Sequence, residues 1–232
     1  MQAQGVAGNI ISTPDHDQDE YELVPIAQIV SCFQYRVIKR ALDIFGSSFF
    51  LIAFSPLIIL IGLMIKLSSP GPIFYHWNVV GRGGRSFRGY KLRTMVQNAD
   101  AIKAKLWQKN EMTGPVFKMK RDPRITPLGR FLRKYSLDEL PQFWSVLKGD
   151  MSLVGPRPAG PQEWVKYEAW QRRKLSVTPG LSCLWQINGR NGITSFNEWV
   201  RLDLAYIDNW SLWLDLKILW GTLFAVLRGT GV

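Results

Sequence analysis

The sequence predicts a mainly helical α+β protein whose N-terminal part associates with a membrane. Residues 44–65 form a stretch of 22 residues without a charge, which is long and apolar enough to enter a bilayer. Residues 73–95 have the pattern of two strands around a glycine-rich turn. Residues 196–227 follow a helical period and are rich in tryptophan. We therefore expect a re-entrant helix-break-helix in the membrane, a small basic β-hairpin, and amphipathic helices at the membrane interface.

Charge is distributed very unevenly along the chain. The 232 residues, 47% of them hydrophobic, suffice for one domain with a real core. The first 35 residues hold five of the 18 acidic residues and none of the 29 basic ones, so the remainder has a formal charge of +16. This excess of positive charge favours an anionic partner. Nucleic acid, a lipid headgroup and a phosphorylated small molecule all fit it equally well. Ten tryptophans favour a membrane interface.

The few cysteines and histidines limit the chemistry. Cys32 and Cys183 are the only cysteines, which excludes a disulfide scaffold and indicates a reducing compartment. With only His16 and His76, a zinc site is disfavoured, and histidine-assisted nucleophilic catalysis would have to use His76. A bound metal should therefore be a hard cation held by carboxylates and phosphates, with Mg²⁺ as the first candidate.

Three segments are expected along the chain. Residues 1–35 are predicted to be an acidic, mobile tail, because residues 1–20 lack periodicity and have no feature of a secretory signal. Residues 36–67 contain the membrane segment. Residues 68–232 form the domain that carries the charged motifs.

The membrane segment has a Ser-Pro pair near its middle. As a straight helix it would measure about 33 Å, close to the ~30 Å core of a bilayer. Pro56 removes a backbone donor and Ser55 can bond the freed carbonyl, so a kink or break is expected there. Basic residues also flank both sides, whereas a crossing helix usually keeps its positive flank on one side. A helix that enters one leaflet and returns is therefore favoured over the alternative, a kinked spanning helix.

The predicted hairpin is basic. Its strands are residues 73–80 and 86–95, and GRGGR at 81–85 forms the turn. This turn lacks the spacing and the Lys-Ser/Thr ending of a Walker A loop, so a solvated glycine turn explains it at least as well as a phosphate site does. Lys91 and Arg93 are the sharper candidates for phosphate binding, because strand side chains repeat every two residues and these two share a face.

Further helices are expected at residues 98–110, 125–134, 164–175 and 196–227. The last of them has a broad apolar stripe that includes Trp213 and Trp220. A soluble core helix and a helix at the membrane interface both account for this stripe.

The adjacent carboxylates Asp138 and Glu139 are the strongest candidates for chemistry. Their surroundings, residues 122–158, also contain arginines at 124, 130, 133 and 157. SLDE at 136–139 fits a capping box, so a purely structural helix start is one interpretation. The other is that the helix N-terminus holds a phosphate group. Adjacent helical residues point about 100° apart, so one carboxylate should attack a phosphorus atom while the other binds metal or orients it.

Several long motifs in a fixed order resemble those of the monotopic bacterial phosphoglycosyl transferases. They extend from about Arg36 to the C-terminus and are KRALD (39–43), the Ser55-Pro56 pair, SPGPIFY (69–75), YKLRTM (90–95), the 122–158 block, PGL (179–181), NGRN (188–191) and WLDLKI (213–218). Their number and order make the resemblance specific. CLWQ at 183–186 departs from the Gly-Trp version of other members, which concerns either the sugar pocket or local packing.

This resemblance implies an enzyme that transfers a sugar 1-phosphate from a UDP-sugar to undecaprenyl phosphate. It implies Mg²⁺ and a re-entrant helix in the cytoplasmic leaflet of the bacterial inner membrane. The implied reaction is ping-pong, through a phosphosugar on Asp138, with Glu139 as partner in metal binding and positioning. The implied phosphate- or substrate-binding residues are Lys91, Arg133, Arg157 and Arg190. Asp215 also falls on a family position, with a metal, structural or surface role left open.

Other functions remain as alternatives. A basic nucleic-acid binder explains the charge but not the uncharged segment with its proline, so no nucleic acid is expected. A membrane-bound lipid-phosphate or nucleotide-sugar phosphohydrolase would use the same acyl-phosphate chemistry with water as acceptor. A non-catalytic membrane scaffold would need only the capping box. A homodimer is also left open.

On the resemblance alone, the donor is UDP-glucose or UDP-galactose and the pathway is exopolysaccharide, capsule or O-antigen assembly.

Overall fold

The computed structural model describes residues 33–189 and 192–231. The predictions for the acidic tail and for Arg190 therefore lie outside the described residues. The helices are α1 (Phe33–Ser68), α2 (Ala99–Leu106), α3 (Pro127–Lys134), α4 (Gln142–Lys148), α5 (Pro161–Trp164), α6 (Ala169–Arg172), α7 (Leu184–Ile187), α8 (Phe196–Asp208) and α9 (Leu212–Leu227), and the strands are β1 (Phe74–Val80), β2 (Ser86–Leu92), β3 (Ser152–Val154) and β4 (Gly180–Ser182). The prediction of a mainly helical α+β fold with a small hairpin is confirmed.

Helix α1 continues through Pro56, so the predicted break is wrong at the level of secondary structure, and a kink there stays a prediction. A proline removes one hydrogen bond and one turn of close packing, which a helix can tolerate. The carbonyl that loses its partner is that of Ile52, and the Ser55 hydroxyl donates to it at 2.8 Å, as the sequence predicts. Residues Tyr35–Ser68 are long and apolar enough to cross a membrane. Whether α1 crosses or re-enters stays a prediction.

The first turns of α1 are fixed to the rest of the protein by polar contacts. The Arg40 guanidinium donates two hydrogen bonds of 2.7 Å to carbonyls near the end of α4. The buried Asp43 carboxylate accepts from the Ser152 hydroxyl at 2.9 Å and from the Leu153 amide at 2.8 Å. Both residues belong to the KRALD motif. The motif therefore docks the membrane helix onto α4 and β3.

The last turns of α1 pack on the hairpin side of the molecule. Ile61 and Ile65 are buried against Leu92 at the end of β2 and Leu132 of α3. By contrast, the middle of α1 exposes large apolar side chains, among them Phe45, Phe49, Ile52 and Ile59. The helix is thus held at both ends, and an apolar surface remains between them.

Two small sheets complete the fold. Strands β1 and β2 form the predicted antiparallel hairpin, with Phe74 opposite Leu92 and Val80 opposite Ser86. Strands β3 and β4 form a parallel pair that the sequence analysis missed. At Gly180 a Cβ would lie 2.0 Å from the backbone nitrogen of Gly155, so this pair of strands requires glycine there. The main core includes Leu153 and Val154 of β3 together with eight buried residues of α8.

Candidate active site

A polar cavity of about 800 Å³ lies between the hairpin, the turn before α4 and the segment after β3. Its size falls in the range of small-molecule sites, about 300–1,000 Å³. Charged side chains in its wall come from distant parts of the sequence and include Lys91, Arg133, Glu139, Arg157 and Glu163. Four of these five are residues that the sequence predicted. The fold therefore brings these four predicted residues around one space, whereas Asp138, Arg93 and Asp215 do not line it.

The carboxylate pair lies on a short 3₁₀ turn, Leu137–Glu139, and not on an α-helix. Helix α4 begins only at Gln142, after a proline. Ser136 adopts a left-handed conformation with φ of 52°, and its side chain makes no capping hydrogen bond. The predicted capping box is therefore wrong, and so is the phosphate site at an α-helix N-terminus. A non-glycine residue with positive φ stores strain, which often accompanies a functional site.

The two carboxylates have different surroundings. Asp138 is only 4% exposed, whereas Glu139 reaches the polar cavity and pairs with Lys91 at 2.6 Å. Burial raises the pKa of Asp138; Lys91 and Arg133 work to lower it, while Glu139 works to raise it further. A higher pKa makes a deprotonated carboxylate more basic and more nucleophilic. The two groups are thus suited to different tasks, as the sequence analysis expected.

Arg133 reaches the cavity from the last turn of α3. This helix packs tightly on the end of the hairpin, because a Cβ at Gly129 would lie 2.1 Å from the Thr94 carbonyl oxygen. The close approach lets Arg133 Nε donate to the Thr94 hydroxyl at 2.9 Å. The guanidinium is thereby oriented, and it lines the cavity that Glu139 enters.

Arg157 is held by a carboxylate and an aromatic ring. Its guanidinium lies 3.2 Å from Glu163 and stacks over the Trp199 ring at 5.2 Å. Burial works to raise the pKa of Glu163, but Arg157, the Gly160 amide and Lys174 together lower it below its usual value, so the carboxylate stays charged beside the arginine. This arrangement fixes a cation at the cavity wall, as an anionic ligand requires.

The other arginines predicted near the pair do not all serve the cavity. Arg124 is bound to Asp122 at 2.6 Å within the wall, and Arg130 is exposed on α3. The Arg93 guanidinium is buried and donates to the carbonyls of Ile65 and Ser69. The structure thus places Arg93 as a cap on the end of α1. It follows strand β2, so the strand alternation that paired it with Lys91 does not bring it to the site.

Asp215 has a structural position at the start of α9. Its carboxylate accepts from Lys39 at 2.6 Å, from the Tyr206 hydroxyl at 2.7 Å and from the Trp210 indole at 3.3 Å. Lys39 also donates to the Val154 carbonyl at 2.9 Å. The motifs KRALD and WLDLKI therefore meet in space, and their charged residues join α1 to α9.

We expect Asp215→Asn to destabilise the protein by roughly 1–3 kcal/mol, because it leaves Lys39 without its charged partner. Thermal unfolding in detergent measures this change. Asp150→Asn is the matched control, since Asp150 pairs with Lys148 at the surface, where an ion pair contributes about 0–1 kcal/mol. Equal unfolding temperatures for Asp215→Asn and the control would contradict the structural role.

The carboxylate pair is compatible with a divalent cation that is bound partly by the protein and partly by a substrate. Among the described residues, no group of three or more histidine, cysteine, aspartate or glutamate side chains could enclose a metal. Mg²⁺, however, is commonly bound by one or two carboxylates together with substrate phosphates and water. Asp138 and Glu139 supply such a donor set, and the basic wall suits the phosphates. The residues therefore fit a cation that arrives with, or is completed by, a phosphorylated substrate.

Several residues of the site were missed by the sequence analysis. Glu163 orients Arg157, and Trp199 stacks on it. Asp203 of α8 accepts from the Arg157 amide at 3.2 Å and pairs with the fully buried Lys174 at 2.5 Å. Only the presence of Asp203 within an otherwise apolar face of α8 could have indicated a buried polar role.

Comparison with known proteins identifies the relatives of this site. A family model described as bacterial sugar transferase matches residues 34–229. The chain belongs to the bacterial sugar transferase family. The resemblance found in the ordered motifs is thus confirmed at the level of the family, and the match includes the site and α1.

Individual relatives carry related descriptions. The chain is 47% identical over 211 residues to the galactosyl transferase CpsE of Streptococcus agalactiae, covering 91% of this chain and 47% of that protein. It is 40% identical over 197 residues to the exopolysaccharide production protein ExoY of Rhizobium meliloti, covering 83% and 87%. It is 43% identical over 206 residues to the undecaprenyl-phosphate galactose phosphotransferase of Salmonella typhimurium, covering 84% and 42%. The chain thus spans less than half of two of these relatives and most of ExoY.

Proposed function

We propose that this protein transfers a sugar 1-phosphate from a UDP-sugar to undecaprenyl phosphate and releases UMP. The observation that carries the proposal is the pairing of a buried Asp138 with Glu139 beside Lys91 and Arg133 at a polar cavity. The description of the Salmonella relative names the same lipid carrier and a sugar phosphate transfer. The reaction would be the first step in assembling an exopolysaccharide, a capsule or an O-antigen.

The proposed reaction has two displacements at one phosphorus atom. A carboxylate oxygen of Asp138 attacks the phosphorus that carries the sugar; a new O–P bond forms, and the bond to UMP breaks with its electron pair leaving on UMP. A phosphate oxygen of the lipid acceptor then attacks the same phosphorus. The Asp138–phosphorus bond breaks, and the free carboxylate is restored.

The cationic residues divide the work of binding. Lys91 holds Glu139, while Arg133 and Arg157 face the cavity and can each bind phosphate oxygens with two donors. Their charges reduce the repulsion between an anionic nucleophile and a diphosphate. Arg190 remains a proposed substrate contact from its position in the NGRN motif.

We propose Mg²⁺ as the cofactor, held by Asp138, Glu139 and the substrate phosphates. When bound, it neutralises phosphate charge and polarises the phosphoryl group. The support is the donor set of two carboxylates in a basic wall, as described above.

The proposed location is the cytoplasmic face of the bacterial inner membrane, with α1 entering the bilayer without crossing it. Exposed apolar side chains on α1 and on α9 support a membrane surface, because soluble proteins rarely expose such contiguous apolar area. On α9 these side chains are Trp213, Leu216, Trp220, Leu223, Phe224 and Leu227. Membranes washed at high salt should retain the protein, whereas a basic nucleic-acid binder would be released.

The proposal is tested by incubating the purified protein with Mg²⁺, undecaprenyl phosphate and UDP-sugars including UDP-glucose and UDP-galactose, and measuring UMP. Galactose is favoured because the descriptions of CpsE and of the Salmonella relative name it. UMP that forms together with a lipid-linked sugar supports the transferase. If free sugar phosphate forms when the lipid acceptor is omitted, the result would instead support a hydrolase. If no product forms with any donor, the result would support a non-catalytic scaffold. Measuring the mass of the protein in detergent distinguishes a monomer from a homodimer.

Glu163→Gln is expected to lower kcat/KM for the UDP-sugar by roughly tenfold or more, because Arg157 loses the charge that orients it and small misplacements in a site are costly. The unfolding temperature and the initial rate of UMP release are measured together. Glu198→Gln, an exposed substitution on α8, is the control and should match the wild type. Equal activity in both variants would exclude a positioning role for Glu163.

A further inference from the structure

A second cavity of about 230 Å³ lies between α1, α4 and α9. We call it the apolar chamber, and its wall includes Phe50, Phe54, Phe143, Leu219, Leu223 and Val226. The Phe50 ring stacks on Phe143 at 5.0 Å and on Phe54 at 5.8 Å, which makes a continuous aromatic wall from α1 to α4. Helix α9 supplies aliphatic side chains to the wall as well. The chamber is therefore bounded in part by α1 and α9, which also expose apolar side chains, and in part by the turn that carries the carboxylate pair.

The apolar chamber adjoins the polar cavity at the catalytic turn. Glu139, Leu181 and Gln186 contribute to the walls of both. A molecule could thus place a charged group near Glu139 and an apolar group in the chamber. The chamber is smaller than a complete ligand site, which usually measures about 300–1,000 Å³. Its volume suits one part of a larger ligand.

We propose that the apolar chamber binds the first isoprene units of the lipid acceptor, next to the phosphate. This inference rests on the proposed function. In a prenyl phosphate the hydrocarbon begins directly at the phosphate, so a site for its reacting oxygen needs an apolar surface within a few bonds. The chamber offers that surface beside Glu139, between helices that also expose apolar side chains.

The alternative occupant is the sugar of the donor, and the chamber is poorly suited to it. A sugar has a hydroxyl on most of its carbons, and each buried hydroxyl requires a hydrogen-bond partner. The wall is mostly aromatic and aliphatic, whereas the polar cavity has many charged groups. The two spaces therefore separate the ligands: nucleotide sugar in the polar cavity, prenyl chain in the apolar chamber.

Substitutions that fill the chamber test this assignment. Val226→Phe and Leu219→Phe add volume inside it, and Leu227→Phe and Leu216→Phe are their matched controls on the exposed side of α9. We expect the filled variants to raise KM for undecaprenyl phosphate by about tenfold or more, because each excluded methylene-sized group contributes several-fold to affinity. Exchange of labelled UMP into the UDP-sugar, measured without lipid, should change by less than about twofold. The control variants should match the wild type in both assays.

An unchanged KM for the lipid in both filled variants would overturn the assignment, and so would an equal loss of exchange and transfer. A photoreactive prenyl phosphate with a diazirine on its first isoprene unit supplies a test on the wild type. Crosslinks to Phe143 or Leu219 support the chamber, and crosslinks only elsewhere overturn it. Labelling of the chamber in a protein that transfers no sugar phosphate would keep the binding site and reject the proposed function.

Discussion

Asp138→Asn is expected to reduce UMP release in the presence of undecaprenyl phosphate by on the order of 10³-fold or more. Removing a covalent nucleophile usually costs several orders of magnitude in kcat, since the remaining binding groups cannot replace the bond that it forms. UMP exchange into the UDP-sugar should be lost to the same extent, because that reaction needs only the first displacement. Intact-mass measurement should also detect a phosphosugar on the wild type and none on the variant.

The stability of Asp138→Asn separates this chemical role from a structural one. Burial raises the pKa of Asp138, so its charged form costs more free energy in the folded protein than in the unfolded chain. Replacing the carboxylate by a neutral amide of the same shape should therefore leave the unfolding temperature unchanged or higher. Asp150→Asn, at an exposed ion pair with Lys148, is the control and should keep full activity. Substantial activity with a lowered unfolding temperature would make the turn a structural element and contradict the nucleophile.

Much of the site could be predicted because its chemistry is concentrated in short segments. Asp138 and Glu139 are adjacent, and two of the nearby arginines, Arg133 and Arg157, do line the cavity with Glu139. Lys91 was indicated by the alternation of a strand and does line the cavity, although the same alternation wrongly placed Arg93 beside it. The adjacent pair and Lys91 follow from patterns local to the sequence, whereas the resemblance to the family singled out Arg133 and Arg157 among the four arginines.

Predictions that depended on the exact backbone conformation were less successful. The pattern at 136–139 matched a capping box, but the left-handed conformation of Ser136 and the proline before α4 produce a 3₁₀ turn. Arg93 lies one residue beyond the end of β2, where alternation no longer applies. Pro56 indicated a break, yet one lost hydrogen bond, with Ser55 bonded to the freed carbonyl, did not interrupt α1. These outcomes depend on φ angles and on tertiary packing that a single sequence does not specify.

Contacts between distant segments could not be foreseen at all. Lys39 and Asp215 are far apart in the chain but form an ion pair. The sequence showed Lys39 only as part of the basic flank of the membrane segment and Asp215 only as an acidic residue in a helix. The three-residue strands β3 and β4 carry too few residues to show a period. Glu163 had no motif that tied it to Arg157. Such pairs become visible only when the fold brings them together.

The buried ion pair between Lys174 and Asp203 leads to the largest expected loss of stability. Both side chains are 0% exposed, and the charged atoms lie 2.5 Å apart. Removing one partner of a buried pair leaves an uncompensated charge and typically costs about 3–5 kcal/mol. Asp203→Asn should therefore lower the apparent Tm in detergent by roughly 10 °C. The Arg157 amide, which donates to Asp203, should lose part of its support as well.

A second ion pair on the same helix provides the control for this effect. Asp208 of α8 pairs with Arg173 but is 41% exposed, so Asp208→Asn should change stability by no more than about 1 kcal/mol. The double variant Lys174→Met, Asp203→Leu should recover much of the loss, since it removes both buried charges together. Thermal unfolding of the three variants measures these differences. If Asp203→Asn were no less stable than Asp208→Asn, Lys174 and Asp203 would not form a charged pair in the folded protein. The segment around Arg157 would then be held in place by packing alone.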